Sequence, residues 1–253
     1  MNKKKVISLF LATALTCTVA GATLAWFTSA ENVSNKIATA IYNNKGLRIW
    51  QRFDPLSNTK PGEVTEKLVQ IRNEANFDQF IRVKLEKVFF KGRDENEKSL
   101  VMSEDDMKKA SFNINDIEIR SKNVINSVQF TNLDFSNIEK VAKDLEGKWL
   151  DIGDGYIYYM GKVKSGGFTA SVLESLKIKS EAGNQYMNCE YNVKVSAISV
   201  QASNNGFLQS FIESDETMNE NLKKLFEYYQ DNRDGIDMGN AGIDDGGLTI
   251  PMK

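Results

Sequence analysis

The 253-residue sequence contains no histidine, and this absence removes more chemistry than any motif present supplies. An H-E-x-x-H zinc site, the Ser-His-Asp and Cys-His nucleophile systems and the usual neutral-pH proton shuttle all need an imidazole. Most secreted hydrolase designs are thereby excluded. Carboxylate-pair glycosidases and calcium-dependent enzymes pass that filter, but each needs a signature of its own. Cysteine is nearly absent as well, with Cys17 and Cys189 the only two. No excess of one charge is present either: 32 Lys and Arg face 34 Asp and Glu, a net charge of -2. Nothing in that balance points to a nucleic-acid partner.

What is present begins with a three-part export layout. Lys3, Lys4 and Lys5 precede an apolar run from Val6 to Ala20, and Gly21-Ala22-Thr23-Leu24-Ala25 follows with small residues at Thr23 and Ala25. The run is short for a bilayer span, which needs about 20 apolar residues, and no second stretch of that length follows. Residues 1–25 therefore read as a signal peptide cut between Ala25 and Trp26, giving a secreted protein without stable membrane insertion. Lipidation at Cys17 is a weaker alternative, because Ala14-Leu15-Thr16 fits the lipoprotein pattern poorly. Cleavage takes the charge from -2 to -5, since three lysines and no acid leave. It also leaves Cys189 alone, so stability must come from the core or from a covalent link other than cystine. No L-P-x-T-G motif accompanies the Gly- and Asp-rich tail from Asp231 to Lys253, so wall anchoring there is unsupported.

The rest reads mainly as strands. Trp26 to Ile41 is strand-like, with Val33, Asn35, Ile37, Thr39 and Ile41 alternating with Ser34, Lys36, Ala38 and Ala40. Leu47 to Phe53 and Glu63 to Asn73 are further strands, separated by turns at Asp54-Pro55 and Pro61-Gly62. Ile81, Val83 and Leu85 then face one way and Arg82, Lys84 and Glu86 the other, the pattern of an antiparallel sheet with one wet face. Residues 91–147 are more polar and read as an insertion decorating one side, with helix starts at Ser103 and Ser136 and short strands near Ile117 and from Val124 to Phe130. Trp149 to Met160 holds a turn at Gly153-Asp154-Gly155 feeding an aromatic strand buried on both faces. In Tyr186 to Ala202 the apolar phase flips between Ala197 and Ile198, which predicts a β-bulge. Met218, Leu222, Leu225, Phe226 and Tyr229 give a C-terminal amphipathic helix over about 214–230, behind Ser214 and Asp215.

Several segments in this order resemble the TasA and camelysin family of biofilm matrix proteins, most closely its clostridial BsaA-type members. They are Gly21 to Ser29, Pro61-Gly62-Glu63-Val64 ahead of Ile71-Arg72-Asn73, Phe80-Ile81-Arg82-Val83, Gly153-Asp154-Gly155-Tyr156, and Val195 to Ala202. The resemblance implies a jelly-roll-like antiparallel β-sandwich, here with helical insertions and a C-terminal helix, and a SipW-type signal peptidase that leaves Trp26 first. It also implies a head-to-tail homopolymer in the extracellular matrix or at the cell surface, with no cofactor and no catalytic turnover. In such a fibre the arm of residues 26–41 acts as a donor strand completing the next subunit's sheet. Trp26, Phe27, Val33, Asn35, Ile37, Thr39 and Ile41 are its candidate contact residues, and 42–253 is the body. From pattern alone, the same segment also reads as the first strand of the chain's own sheet.

Other constellations have plain readings beside the chemical ones. Asn232, Asp234 and Gly235 resemble the start of a calcium loop, but Ala241 stands where the closing glutamate belongs. Asp151 and Asp154 could be a glycosidase pair or a turn entering a strand. Camelysin relatives classed as metalloproteases raise an enzyme reading, yet without histidine a zinc site would need only Asp, Glu and Cys, so no metal residues are assigned. A monomeric secreted adhesin is the remaining alternative. Cys189 reads as a small buried residue or as half of an intermolecular bridge. Finally, disulfide-free exported fibres can be reinforced between subunits by Lys-to-Asn or Lys-to-Asp isopeptide bonds, in which burial lowers the lysine pKa and a neighbouring Glu or Asp relays protons. Lys36 is the candidate donor, with acceptor and acid unassigned by the sequence.

Overall fold

A computed structural model of the chain describes residues 28–33 (backbone only), 46–53, 59–93, 99–212 and 218–243. Eleven strands form two sheets among these residues. The larger has the order β1 (Thr28–Val33), β11 (Glu190–Gln201), β4 (Gln79–Arg93), β9 (Ile157–Tyr159), β8 (Trp149–Asp151) and β7 (Val124–Ile125), with β5 (Ser99–Val101) pairing the far end of β4. The smaller has the order β2 (Leu47–Phe53), β3 (Val64–Asn73), β10 (Leu173–Ile178) and β6 (Ile117–Arg120). All pairings are antiparallel except β7 with β8. The architecture is the expected one, a mainly β sandwich with helical insertions and a C-terminal helix.

Alternation in the strands builds the inter-sheet core. Leu47 and Ile49 of β2 and Val69 and Ile71 of β3 meet Ile81 and Val83 of β4 and Val193, Val195 and Ala197 of β11, all essentially without solvent exposure. A second core lies on the other face of the larger sheet. There Phe80, Leu150, Tyr158 and Val200 receive Val141, Ala142 and Leu145 of one helix and Leu222, Leu225, Phe226 and Tyr229 of another. The helices are α1 (Glu104–Ala110), α2 (Ser127–Thr131), α3 (Ile138–Leu145), α4 (Gly206–Ser210) and α5 (Glu220–Asn232). The Tyr229 hydroxyl donates to the Ala142 carbonyl at 2.7 Å, and Arg233 pairs with Glu146, so α3 and α5 are tied at both levels.

Four expectations change in detail. The wet face of β4 is wet only at Lys84 and Glu86; helices cover the other half, and Arg82 is 4% exposed. The β-bulge after Ala197 does not occur, because the β11–β4 ladder runs without a register shift from Glu190 opposite Phe90 to Gln201 opposite Gln79. The apolar phase flips because Tyr191, Val193, Val195 and Ala197 face the other sheet, whereas Ile198, Val200 and Ala202 face the helices. Residues 91–147 do more than decorate, since β6 is an edge strand of the smaller sheet and β7 of the larger; within Val124 to Phe130, Ser127 opens α2. The C-terminal helix begins at Glu220, capped by the Asn219 side chain, which accepts from the Asn221 and Leu222 amides. Residues 213–217, including Ser214 and Asp215, lie outside the described residues. Ser103 does cap α1, in a reciprocal box with Asp106.

Candidate functional site

Among the described residues, the arm expected at the N-terminus pairs with the body along one strand. β1 lies antiparallel to β11, with Thr28 opposite Val200, Asn32 opposite Ser196 and Val33 opposite Val195. It ends the strand path of the larger sheet, so among the described residues its backbone pairs on one side only. Of the candidate donor residues, Val33 is in this strand. Trp26, Phe27, Asn35, Ile37, Thr39 and Ile41 lie outside the described residues, as do the cleavage pair Ala25 and Trp26 and the candidate donor Lys36. In this single chain Thr28–Val33 form the first strand of their own sheet, the plainer of the two readings open from pattern.

The interior beside this edge is polar where a sandwich core is normally apolar. Lys67 of β3 is fully buried and points between the sheets, like Thr65, Val69 and Ile71. Its Nζ donates to the Val193 carbonyl at 2.7 Å and to Asn192 Oδ1 at 2.9 Å, and it lies 5.2 Å from the centre of the Phe53 ring. Asn192 Oδ1 also accepts from the Val193 amide at 2.8 Å. Burial disfavours the ammonium and pushes the Lys67 amine down to about 7. Gln51 of β2 is buried nearby in sequence register, between Ile49 and Phe53, and its side-chain amide finds no partner among the described residues. Ser199, opposite Ser29 of β1, is buried with an unpartnered hydroxyl.

The chemical alternatives resolve into structure. Asp151 Oδ1 accepts from the Gly153 amide at 2.8 Å. Asp154 accepts from the Tyr156 amide at 2.9 Å and from the Tyr158 hydroxyl at 2.6 Å. Both carboxylates thus fold the turn into β9. Asn232 closes α5 by donating to the Tyr228 carbonyl, and Gly235 packs against the Asp78 carboxylate, which would have to move aside for a Cβ. Ile236 beyond it bridges to Val163, and Gln70 fixes the tail by donating to the Gly239 carbonyl and accepting from the Ala241 amide. Among the described residues, no three Cys, Asp or Glu stand where they could share a metal ion. Cys189 is a half-buried free thiol that burial pushes up to about 11, far from a reactive thiolate.

Among the described residues, the segments that carried the family resemblance occupy structural positions. Gly62 adopts a φ of +85° and donates to the Ile178 carbonyl as the chain enters β3. Asn73 is fully buried, donating from Nδ2 to the carbonyls of Phe77 and Val163 and accepting from the Ala75 amide. Arg82 donates to the Phe211 carbonyl at 2.8 Å with its guanidinium 3.7 Å from the Tyr156 ring centre, an inward cation that its alternating position did not foretell. No family model, no curated protein and no solved structure matches the chain.

Proposed function

We propose that the chain is a secreted structural subunit of the TasA and camelysin type, assembling head-to-tail into extracellular fibres of a matrix or cell surface by donating its N-terminal strand. The observation that carries this reading is the place of β1. It is the first strand of the chain among the described residues, on the outer edge of a sheet, paired through its backbone to β11 alone. A ladder of this kind depends on main-chain groups more than on side chains, so an identical strand from a second copy offers β11 the same bonds. Each net backbone bond is worth only about 1 kcal/mol, and exchange conserves them all. The cost of exchange then lies in the connection from β1 to β2, whose tether favours the self-paired form, and a high concentration of subunits favours the exchanged one. Because the contact is head-to-tail and does not close on itself, it propagates into a filament. The exported N-terminus, cut before Trp26 by a SipW-type peptidase, would be the free end that makes the strand mobile between partners.

A self-completed monomer acting as a surface adhesin is the second reading, favoured by the pairing of β1 within its own chain. Electron microscopy of two purified proteins under matched conditions separates them, one beginning at Trp26 and one beginning after Ile41. Fibres from the first and monomers from the second are expected. Fibres from both would move assembly to another surface and end the strand-donation reading.

A further inference from the structure

The geometry points to an amide bond between the side chains of Lys67 and Asn192, formed within one chain and stapling the two sheets of the sandwich together. This staple is independent of strand donation and needs no second subunit. Three conditions for such a bond meet at this spot.

The first is a nucleophile held in place. Lys67 Nζ is fully buried and 2.9 Å from Asn192 Oδ1, with the Val193 carbonyl as its other anchor. No carboxylate pairs with it among the described residues, so the proton relay that an acid would supply falls to Nζ itself. Burial lowers its proton affinity to about neutrality, so a substantial share of the amine carries a free lone pair at neutral pH, as desolvated catalytic lysines do. The second is a polarised electrophile. Asn192 Oδ1 accepts the Val193 amide at 2.8 Å, which puts a fixed N–H donor where negative charge grows when the carboxamide carbon is attacked. The third is exclusion of competing water, since Asn192 is 4% exposed and Lys67 not at all.

The step balances without any outside reagent. The Nζ lone pair forms a bond to Asn192 Cγ, and the carbonyl electrons move onto Oδ1 beside the Val193 N–H. Collapse breaks the Cγ–Nδ2 bond, Nδ2 takes a proton from Nζ, and ammonia leaves. A neutral secondary amide replaces a buried amine and a primary amide, which also removes the cost of holding a lysine in the core. The bond would join β3 of the smaller sheet to β11 of the larger across a sequence separation of 125 residues. Its place is functional as well as structural, because β11 is the strand that β1 pairs with. A staple there fixes β11 against the other sheet whether or not β1 is in place.

Peptide mapping of the purified full chain tests this directly. Denatured protein digested after glutamate should yield one branched peptide joining residues 67–74 to residues 191–213, lighter than the two linear peptides together by one ammonia. Fragmentation should place the branch at Lys67 and Asn192. Intact mass alone does not suffice, since Asn205-Gly206 can lose ammonia by cyclising. Lys67→Met and Asn192→Ala should each abolish the branch, with folding checked by circular dichroism; the wild-type map stands even if a variant fails to fold. Recovery of Lys67 and Asn192 in separate unmodified linear peptides would overturn the proposal, as would a branch from Lys67 to any other residue.

Discussion

Replacing Phe226 with alanine is expected to cost about 3–5 kcal/mol of folding stability, the usual range for deleting a fully buried phenylalanine. Phe226 is the hub of the aromatic cluster between α5 and the larger sheet. Its ring centre lies 4.9 Å from Phe80, 5.2 Å from Phe207 and 5.7 Å from Phe211, and it has no exposed surface. The surrounding rings come from strand β4 and from α4 with its C-terminal cap, so they cannot collapse together to fill the gap. Urea midpoints at constant slope would report the loss. A cost below about 1 kcal/mol would mean that α5 is not packed on the sheet.

Trp149→Ala should be comparably damaging, again about 3–5 kcal/mol, but through the other core. Trp149 is fully buried between the sheets, edge-on to Tyr159 at 5.0 Å, and its indole N–H donates to the Ala170 carbonyl at 2.8 Å. Trp149→Phe separates the two contributions. It keeps most of the bulk and leaves the buried carbonyl without its donor, a loss of about 1–3 kcal/mol. Equal costs for the alanine and phenylalanine variants in urea unfolding would show that the hydrogen bond, not the ring volume, dominates at this position.

Much of this architecture was legible because side-chain period and burial agree where one face of a strand is dry. Leu47 and Ile49, Val69 and Ile71, Ile81 and Val83 all point as their alternation predicts. Ser103 could be recognised as a cap because its partner Asp106 stands three residues on. Reading failed where a third layer covers the second face. Periodicity cannot distinguish a bulge from a strand buried on both sides, so the flip at Ile198 was misread. Nor can it say that the outward face of Arg82 meets helices that arrive more than 120 residues later in the chain. Lys67 was missed for a different reason. Val69 and Ile71 place position 67 on the inner face, yet a lysine there contradicts the usual rule that ammonium groups stay in water. The conflict between phase and residue type was the available signal. Alternation marked Val33 as an arm residue, whereas its place at a sheet edge and the receiving strand β11 could be named only once the register was known.

The central claim is that β1 pairs with β11 of a neighbouring subunit in the assembled state. Asn32 stands opposite Ser196 across that ladder, so an Asn32→Cys, Ser196→Cys variant beginning at Trp26 on a Cys189→Ala background carries its only two thiols at opposed positions of the β1–β11 pair. The measurement is to assemble this variant under reducing conditions, oxidise it, and run it on a denaturing gel without reductant. Strand donation predicts a ladder of covalent multimers that collapses to monomer on reduction. Oxidised material that runs only as disulfide-closed monomer would show that each subunit keeps its own strand, and would contradict the account.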